Sequence, residues 1–93
     1  MNDFIEGAFS GFSAREAAAN DVVLDVHVTA RESEVIAHVC NGLSNNEIAR
    51  EMHVAVHTVK THMRNIMAKM RVRSRLQIAT RVYRERQTLA MSA

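Results

Sequence analysis

Basic and hydrogen-bonding side chains recur along one side of the segment 56–71, which the sequence predicts to be a helix. At about 100° per residue, an apolar stripe lies on one side of this helix: Val59, Met63, Ile66 and Met70. The opposite side has no acidic residue and consists of His57, Lys60, Thr61, Arg64 and Ala68. A helix of this kind fits the major groove of B-DNA, which is about 12 Å wide. The pattern favours a DNA contact over the alternative, an exposed helix that its charges keep soluble.

The chemistry of these outward residues suggests how bases would be read. Lys60 and Arg64 lie one helical turn apart, and both suit the O6 and N7 atoms of guanine. Thr61 can contact a thymine methyl group or donate a hydrogen bond through its hydroxyl. His57, near the start of the helix, can reach a base or a phosphate. We predict base contacts from these four residues.

Phosphate contacts are predicted beside this face. Thr58 and Lys69 lie to the sides of the helix, where the DNA backbone would run. Asn45 begins the preceding predicted helix, whose free amides and positive dipole end suit another phosphate. These three residues are therefore the predicted phosphate contacts.

Helix-start and helix-stop signals predict the elements that position these residues. Capping-box spacing, in which two residues cap each other's backbone amides, occurs three times: Thr29/Glu32, Ser44/Glu47 and Ser74/Gln77. Gly42 supplies the left-handed residue that ends the first helix. The predicted helices cover about 30–41, 45–52, 56–71 and 75–86. The second and third, joined by a short turn around Val54, make a helix-turn-helix pattern.

Composition supports an all-α fold in one small domain. The 93 residues include no proline, three glycines, three phenylalanines and one tyrosine, whereas an all-β fold needs turn residues and aromatic strands. We assign residues 28–88 to a four-helix helix-turn-helix domain. Residues 1–27 are expected to form an N-terminal arm, weakly structured or briefly helical, and residues 89–93 a frayed tail.

The net charge of +2 hides a strong asymmetry along the chain. Acids outnumber bases five to one over residues 1–27 and four to two over residues 28–59, but bases outnumber acids nine to one over residues 60–93. A basic final third predicts a polyanionic partner such as double-stranded DNA. On charge alone, a solvated basic surface is an equal alternative.

The sequence offers little for catalysis or metal binding. No acidic pair in a plausible cleft, no Gly-rich phosphate loop and no Ser/His/Asp set can be placed, so we expect no enzyme and no cofactor. His57 and His62 point to different sides of their helix, and zinc favours paired cysteines, so we expect no metal. The single cysteine, Cys40, is expected to be a small buried hydrophobe in a reducing cytoplasm. No uncharged stretch is long enough to span a membrane.

Four segments together resemble the LuxR-type (GerE-like) helix-turn-helix domain. They are TARESEV at 29–35, NGLSNNEIA at 41–49, TVKTHMRNIMAKM at 58–70 and VRSR at 72–75, and the resemblance covers about residues 28–86. It implies a four-helix DNA-binding domain of bacterial transcription regulators, with the helix-turn-helix in its second and third helices. It also implies a symmetric dimer through the fourth helix on a pseudo-palindromic site. The implied base contacts are Lys60, Thr61 and Arg64, and the implied backbone contacts lie near Asn45, Thr58 and Lys69.

The sequence departs from that family beside the third helix. Ala55 stands where Ser or Thr usually caps this helix, a loss of about 1 kcal/mol of local stability unless another group caps it. His57 replaces an acidic, Asn or Lys-type residue, which changes the expected sequence preference. Most members carry this domain behind a phosphoacceptor or small-molecule-binding domain, so this chain is expected to resemble the stand-alone members.

The fourth predicted helix has two apolar stripes. Ile78, Ala79 and Val82 can close the core, and an adjoining side carries Leu76, Thr80 and Tyr83. Because a small domain needs one stripe for its own core, the second predicts a homodimer interface. A slightly apolar surface without a partner is the alternative.

The sequence thus leads to one hypothesis and one alternative. The hypothesis is a cytoplasmic bacterial transcription regulator that binds DNA as a homodimer, with helix 56–71 in the major groove. The alternative is a protein-interaction module that dimerises with and modulates a larger LuxR-type regulator. Another regulator or RNA polymerase is a further candidate partner.

Overall fold

The computed structural model describes residues 26–92, which form four helices. They are α1 (Ala30–Cys40), α2 (Asn45–Met52), α3 (Val56–Met70) and α4 (Arg75–Ser92). No strand occurs among these residues, and the predicted all-α fold is confirmed. Residues 1–25 of the predicted arm lie outside the described residues, so the division into arm, domain and tail stays a prediction.

Two of the three predicted capping boxes are complete. The Thr29 hydroxyl accepts from the Glu32 amide at 3.0 Å, and the Glu32 carboxylate accepts from the Thr29 amide at 2.9 Å. At the start of α2, Ser44 and Glu47 make the same pair of bonds at 3.2 and 2.8 Å. Since each box satisfies two backbone amides that the helix leaves unpaired, both helices begin where the sequence predicts.

The third box is only half formed, which corrects the prediction for α4. The Ser74 hydroxyl accepts from the Gln77 amide at 3.2 Å, as expected. The Gln77 side chain, however, accepts from the Arg73 amide at 2.6 Å rather than from the amide of Ser74. The Gln77 side chain therefore satisfies a backbone amide of the turn before the helix rather than the amide of the N-cap residue.

The far end of α4 also differs from the prediction. The helix continues to Ser92, whereas the sequence predicted an end near Arg86. The segment after Arg86 contains no glycine or proline, so it lacks the signals that normally end a helix.

The core lies where all four helices meet. Its fully buried members include one or more residues of each helix: Val35 of α1, Ile48 of α2, Val59, Ile66 and Met70 of α3, and Ile78 of α4. Val54, in the turn between α2 and α3, is half-buried against them. α1 and α3 each pack against the other three helices, so α3 is fixed from three sides.

Cys40 lies within this core, as predicted. Burial raises the pKa of its thiol to about 12. The thiol therefore stays protonated at neutral pH, and a protonated thiol is a poor nucleophile. The residue packs as a small apolar side chain.

The first turn of α3 lacks the side-chain cap that α1 and α2 have. Ala55 is its N-cap, in an extended conformation (φ −74°, ψ 153°) with no side-chain hydrogen bond to the helix. This conformation is the one that a capping serine adopts. Packing rather than capping therefore holds the start of α3.

We predict that Ala55→Ser raises the free energy of unfolding by about 1 kcal/mol, because the new hydroxyl can accept from a free amide of the first turn. Urea unfolding measured by circular dichroism checks this. Ser44→Ala is the matched control and should shift stability in the opposite direction. An unchanged midpoint for Ala55→Ser would show that the backbone amides of this turn are already satisfied.

Candidate nucleic-acid interface

The predicted base-contact residues share one open face of α3. Val59, Met63, Ile66 and Met70 are buried against the core, which confirms the predicted inward stripe. His57, Lys60, Thr61 and Arg64 are all exposed on the other side. α3 contains no acidic residue, so the cations Lys60 and Arg64 stand on this face without an opposing charge from α3.

The structure leaves Thr61 fewer ways to contact a base than the sequence predicted. Its hydroxyl donates to the His57 carbonyl one turn earlier, at 3.0 Å. The hydroxyl proton is therefore used within the helix, and donation to a base, one of the two predicted options, is not what this structure presents. The methyl group and an acceptor lone pair remain for contact with a base.

A groove of about 500 Å³ runs beside this face, between the start of α2 and the turn that leads into α4. It is lined by Asn45, Lys60, Met63, Arg64, Met67, Arg73, Ser74 and Arg75. Four of the eight lining residues are cationic and none is acidic. A concave surface of this charge suits the phosphate backbone of a nucleic acid.

Arg75 fixes one wall of the groove, a role that the sequence did not reveal. Its guanidinium donates to the Asn45 side-chain oxygen at 3.0 Å and to the Leu43 carbonyl at 2.7 Å. These bonds tie the start of α4 to the start of α2. Asn45 keeps its side-chain NH₂ group, which can still donate to a phosphate.

Lys69, a predicted phosphate contact, is engaged within the protein. Its ammonium group lies 2.7 Å from the Glu32 carboxylate. The Glu32 side chain is only 5% exposed, whereas that of Lys69 is 39% exposed. The pair links α3 to α1, so any phosphate contact of Lys69 would share its charge with Glu32.

The surroundings of Glu32 shift its acidity. Burial alone would raise its pKa, but hydrogen bonds from Lys69 and from the Thr29 amide outweigh burial. The pKa of Glu32 therefore lies below its ordinary value of 4.5. The carboxylate is charged at neutral pH and holds α3 against α1.

A second cation holds the end of α3. Arg81 donates to the Met70 carbonyl at 2.9 Å and pairs with Glu85 at 3.0 Å. A cation at the carboxyl end of a helix interacts favourably with the helix dipole. Bonds to Lys69 and Met70 therefore secure the second half of α3 from two neighbouring helices.

The remaining predicted site residues lie apart from the groove. Thr58 is half-buried on the flank of α3. Leu76, Thr80 and Tyr83 are exposed on α4, with Leu76 at 72% and Tyr83 at 42%. The three residues of α4 follow one another at helical spacing and form a separate surface, which we call the α4 face.

Neither a metal-binding cluster nor a membrane-spanning helix occurs in the described part of the chain. Within residues 26–92, no three metal-ligating side chains come together in a group that could hold a metal ion. In the same part of the chain, no helix has both the length and the apolar character needed to cross a bilayer.

Comparison with known proteins gives a consistent result. The sequence profile of the family described as "Bacterial regulatory proteins, luxR family" (GerE) matches residues 26–82. A monoamine regulon transcriptional regulator of Klebsiella aerogenes is 38% identical over 69 residues, which cover 74% of this chain and 30% of that protein. The response regulator protein VraR of Staphylococcus aureus is 44% identical over 50 residues, which cover 54% of this chain and 24% of that protein. The chain thus spans under a third of these relatives, and no solved structure matches it.

The Glu32–Lys69 pair should make stability depend on pH in a defined direction. Because the pKa of Glu32 is lowered on folding, its contribution is fully present above pH 4.5 and is lost as the pH falls through the folded-state pKa. We predict that Glu32→Gln lowers the free energy of unfolding at pH 7 by about 1–2 kcal/mol and flattens the decline below pH 4.5. Urea unfolding at a series of pH values checks this.

Glu34→Gln is the matched control for this experiment. Glu34 pairs with Arg31 at 2.9 Å on the surface of α1, and exposed pairs contribute little. It should leave both stability and the acid decline nearly unchanged. Equal acid declines in wild type and Glu32→Gln would contradict the role assigned to the pair.

Proposed function

Because the chain belongs to the luxR family of bacterial regulatory proteins, we propose that it is a sequence-specific DNA-binding transcription regulator that acts as a homodimer. The observation that carries this proposal is the exposed, acid-free face of α3 opposite its buried stripe. The names of its relatives, a transcriptional regulator and a response regulator, support a role in transcription. The single, buried Cys40 suits a reducing cytoplasm.

In this proposal α3 is the recognition helix and enters the major groove. Lys60 and Arg64 donate to the O6 and N7 atoms of guanine, and the Thr61 methyl group contacts a thymine methyl. His57 contacts a base near the start of the helix. Asn45 and Thr58 hold the phosphates on either side, and Lys69 adds a charge that it shares with Glu32. These contacts set the register of the protein on the duplex.

Affinity would come mainly from the phosphate backbone. The groove beside α3 presents four cations without an acid, and each phosphate neutralised releases counterions to the solvent. Binding should therefore weaken steeply as salt is added. Sequence preference would come mainly from Lys60, Thr61 and Arg64, with His57 as a further base contact.

The α4 face is the proposed homodimer interface. Its most exposed large apolar side chain is Leu76, at 72% exposure. A two-fold axis through this surface would present two copies of α3 to half-sites about one DNA turn apart. The proposal thus predicts a pseudo-palindromic binding site.

The second candidate function, an interaction module, rests on the same exposed α4 face. A larger luxR-type regulator has a corresponding domain, so the α4 face could pair with that regulator and modulate it. Another regulator or RNA polymerase would be alternative partners. Specific DNA binding by the isolated protein separates the two candidates, because a pure interaction module would show none.

Base reading by α3 can be tested with DNA selected from a random pool by the purified protein. We predict that Lys60→Ala or Arg64→Ala weakens binding to the selected duplex by about 1–3 kcal/mol each. The fold should stay intact because both side chains are exposed. Gel-shift titration measures affinity, and circular dichroism measures folding.

Arg84→Ala provides the matched loss of an exposed cation. Arg84 lies on α4 about 14 Å along the helix from Arg75, beyond the groove beside α3. It should reduce affinity far less than either substitution in α3. Unchanged affinity for both Lys60→Ala and Arg64→Ala would remove the base-reading claim.

Dimerisation through the α4 face gives a separate prediction. Leu76→Lys should convert a dimer into a monomer, because it places like charges at the centre of a two-fold interface. Sedimentation equilibrium measures the change, with Thr88→Lys on another side of α4 as the control. A monomeric wild type at concentrations that saturate DNA would argue against the homodimer.

A further inference from the structure

The residue that follows α3 has an unfavourable backbone conformation. Arg71 has φ 59° and ψ 45°, the left-handed region that favours glycine because a Cβ atom is strained there. Among the described residues other than glycine, only His53 shares a positive φ, at 58°. His53 follows α2 as Arg71 follows α3.

The two turns are built alike. After α3, the Arg71 amide donates to the Ala68 carbonyl at 3.3 Å and the Val72 amide donates to the Met67 carbonyl at 3.0 Å. After α2, the His53 and Val54 amides donate to the carbonyls of residues 50 and 49 at 3.3 and 3.0 Å. Both are the same helix-ending motif, in which glycine is the usual left-handed residue. Arg71 and His53 therefore each occupy a position whose backbone conformation favours glycine.

Arg71 offers a guanidinium, a cationic fork that suits a phosphate better than the imidazole of His53 does. Its side chain is exposed, and within residues 26–92 none of the hydrogen bonds or ion pairs engages its guanidinium. Eleven residues make about three helical turns, so the backbone of residue 71 lies on the same side of α3 as Lys60. Arg73, two residues further, lines the groove beside Lys60 and Arg64.

The length of α3 places this end at the edge of the DNA groove. Its 15 residues extend about 22 Å, whereas the major groove is about 12 Å wide. With Lys60 and Arg64 over the bases, residue 71 lies about 16 Å further along the helix than Lys60. A helix that reads bases with its amino-terminal half brings its carboxyl end toward the phosphates that border the groove. Lys69, the last cation within α3, is already paired with Glu32.

We propose that Arg71 is a phosphate-binding residue for the DNA backbone, held in a strained turn because glycine there would lose the contact. This inference rests on the proposed DNA-binding function and adds a site to it. It predicts that stability and DNA affinity change in opposite directions when the residue is replaced by glycine. No such opposition is expected at His53.

Three variants of the full chain test this on the selected duplex. Arg71→Gly should raise the melting temperature by about 2–6 °C and weaken DNA binding severalfold. Its plot of log affinity against log salt should be shallower by about one unit, the loss of one phosphate contact. His53→Gly should raise the melting temperature similarly and leave both affinity and salt slope unchanged. Arg71→Lys, which keeps the charge and the strain, should retain the wild-type melting temperature and slope.

The outcomes separate this inference from the function it rests on. If Arg71→Gly binds with the affinity and salt slope of His53→Gly, Arg71 binds no phosphate and the inference is wrong, while DNA binding stands. If Arg71→Gly fails to raise the melting temperature, the turn is not strained and the inference is also overturned. If wild type and His53→Gly bind no duplex, the proposed function and the inference fail together.

Discussion

The burial of one stripe of α3 is the constraint on which the rest of the structure depends. Val59 and Ile66 are completely buried, and Met63 and Met70 nearly so. Because α3 packs against all three other helices, it cannot rotate about its axis without exposing this stripe. The opposite face, with Lys60 and Arg64, is therefore kept open to solvent by the core itself. The Glu32–Lys69 pair and the bond from Arg81 to Met70 add polar contacts from α1 and α4.

Neither end of α3 carries a favoured capping residue. Its N-cap is Ala55, without a side-chain bond, and the residue that ends it is Arg71 in a left-handed conformation. By contrast, α1 and α2 begin with complete capping boxes. α3 is thus held by packing along its length, while both of its ends depart from the residues that local backbone chemistry favours. Such departures concentrate where a surface serves binding.

Much of the fold could be predicted because it depends on residues that are close together in the sequence. The spacing of apolar residues predicted the buried stripe of α3, and capping-box spacing predicted the starts of α1 and α2. The contacts that shape the candidate site were beyond reach because they join distant residues. Arg75 bonds to Asn45 across 30 positions, and Lys69 to Glu32 across 37. The left-handed turn at Arg71 also had no local signal, since the usual marker is glycine. Because Glu32 is distant in sequence, the prediction of a phosphate contact for Lys69 took no account of this buried partner.

Chemical-shift mapping tests most directly whether the open face of α3 meets DNA. Amide spectra of the protein would be recorded with and without the duplex selected from a random pool. We predict large shifts for the amides of Lys60, Thr61 and Arg64 and smaller ones for Asn45. The amides of the buried Val35 and Ile78 should not shift. Shifts confined to Leu76 and Tyr83, with none along α3, would contradict this prediction.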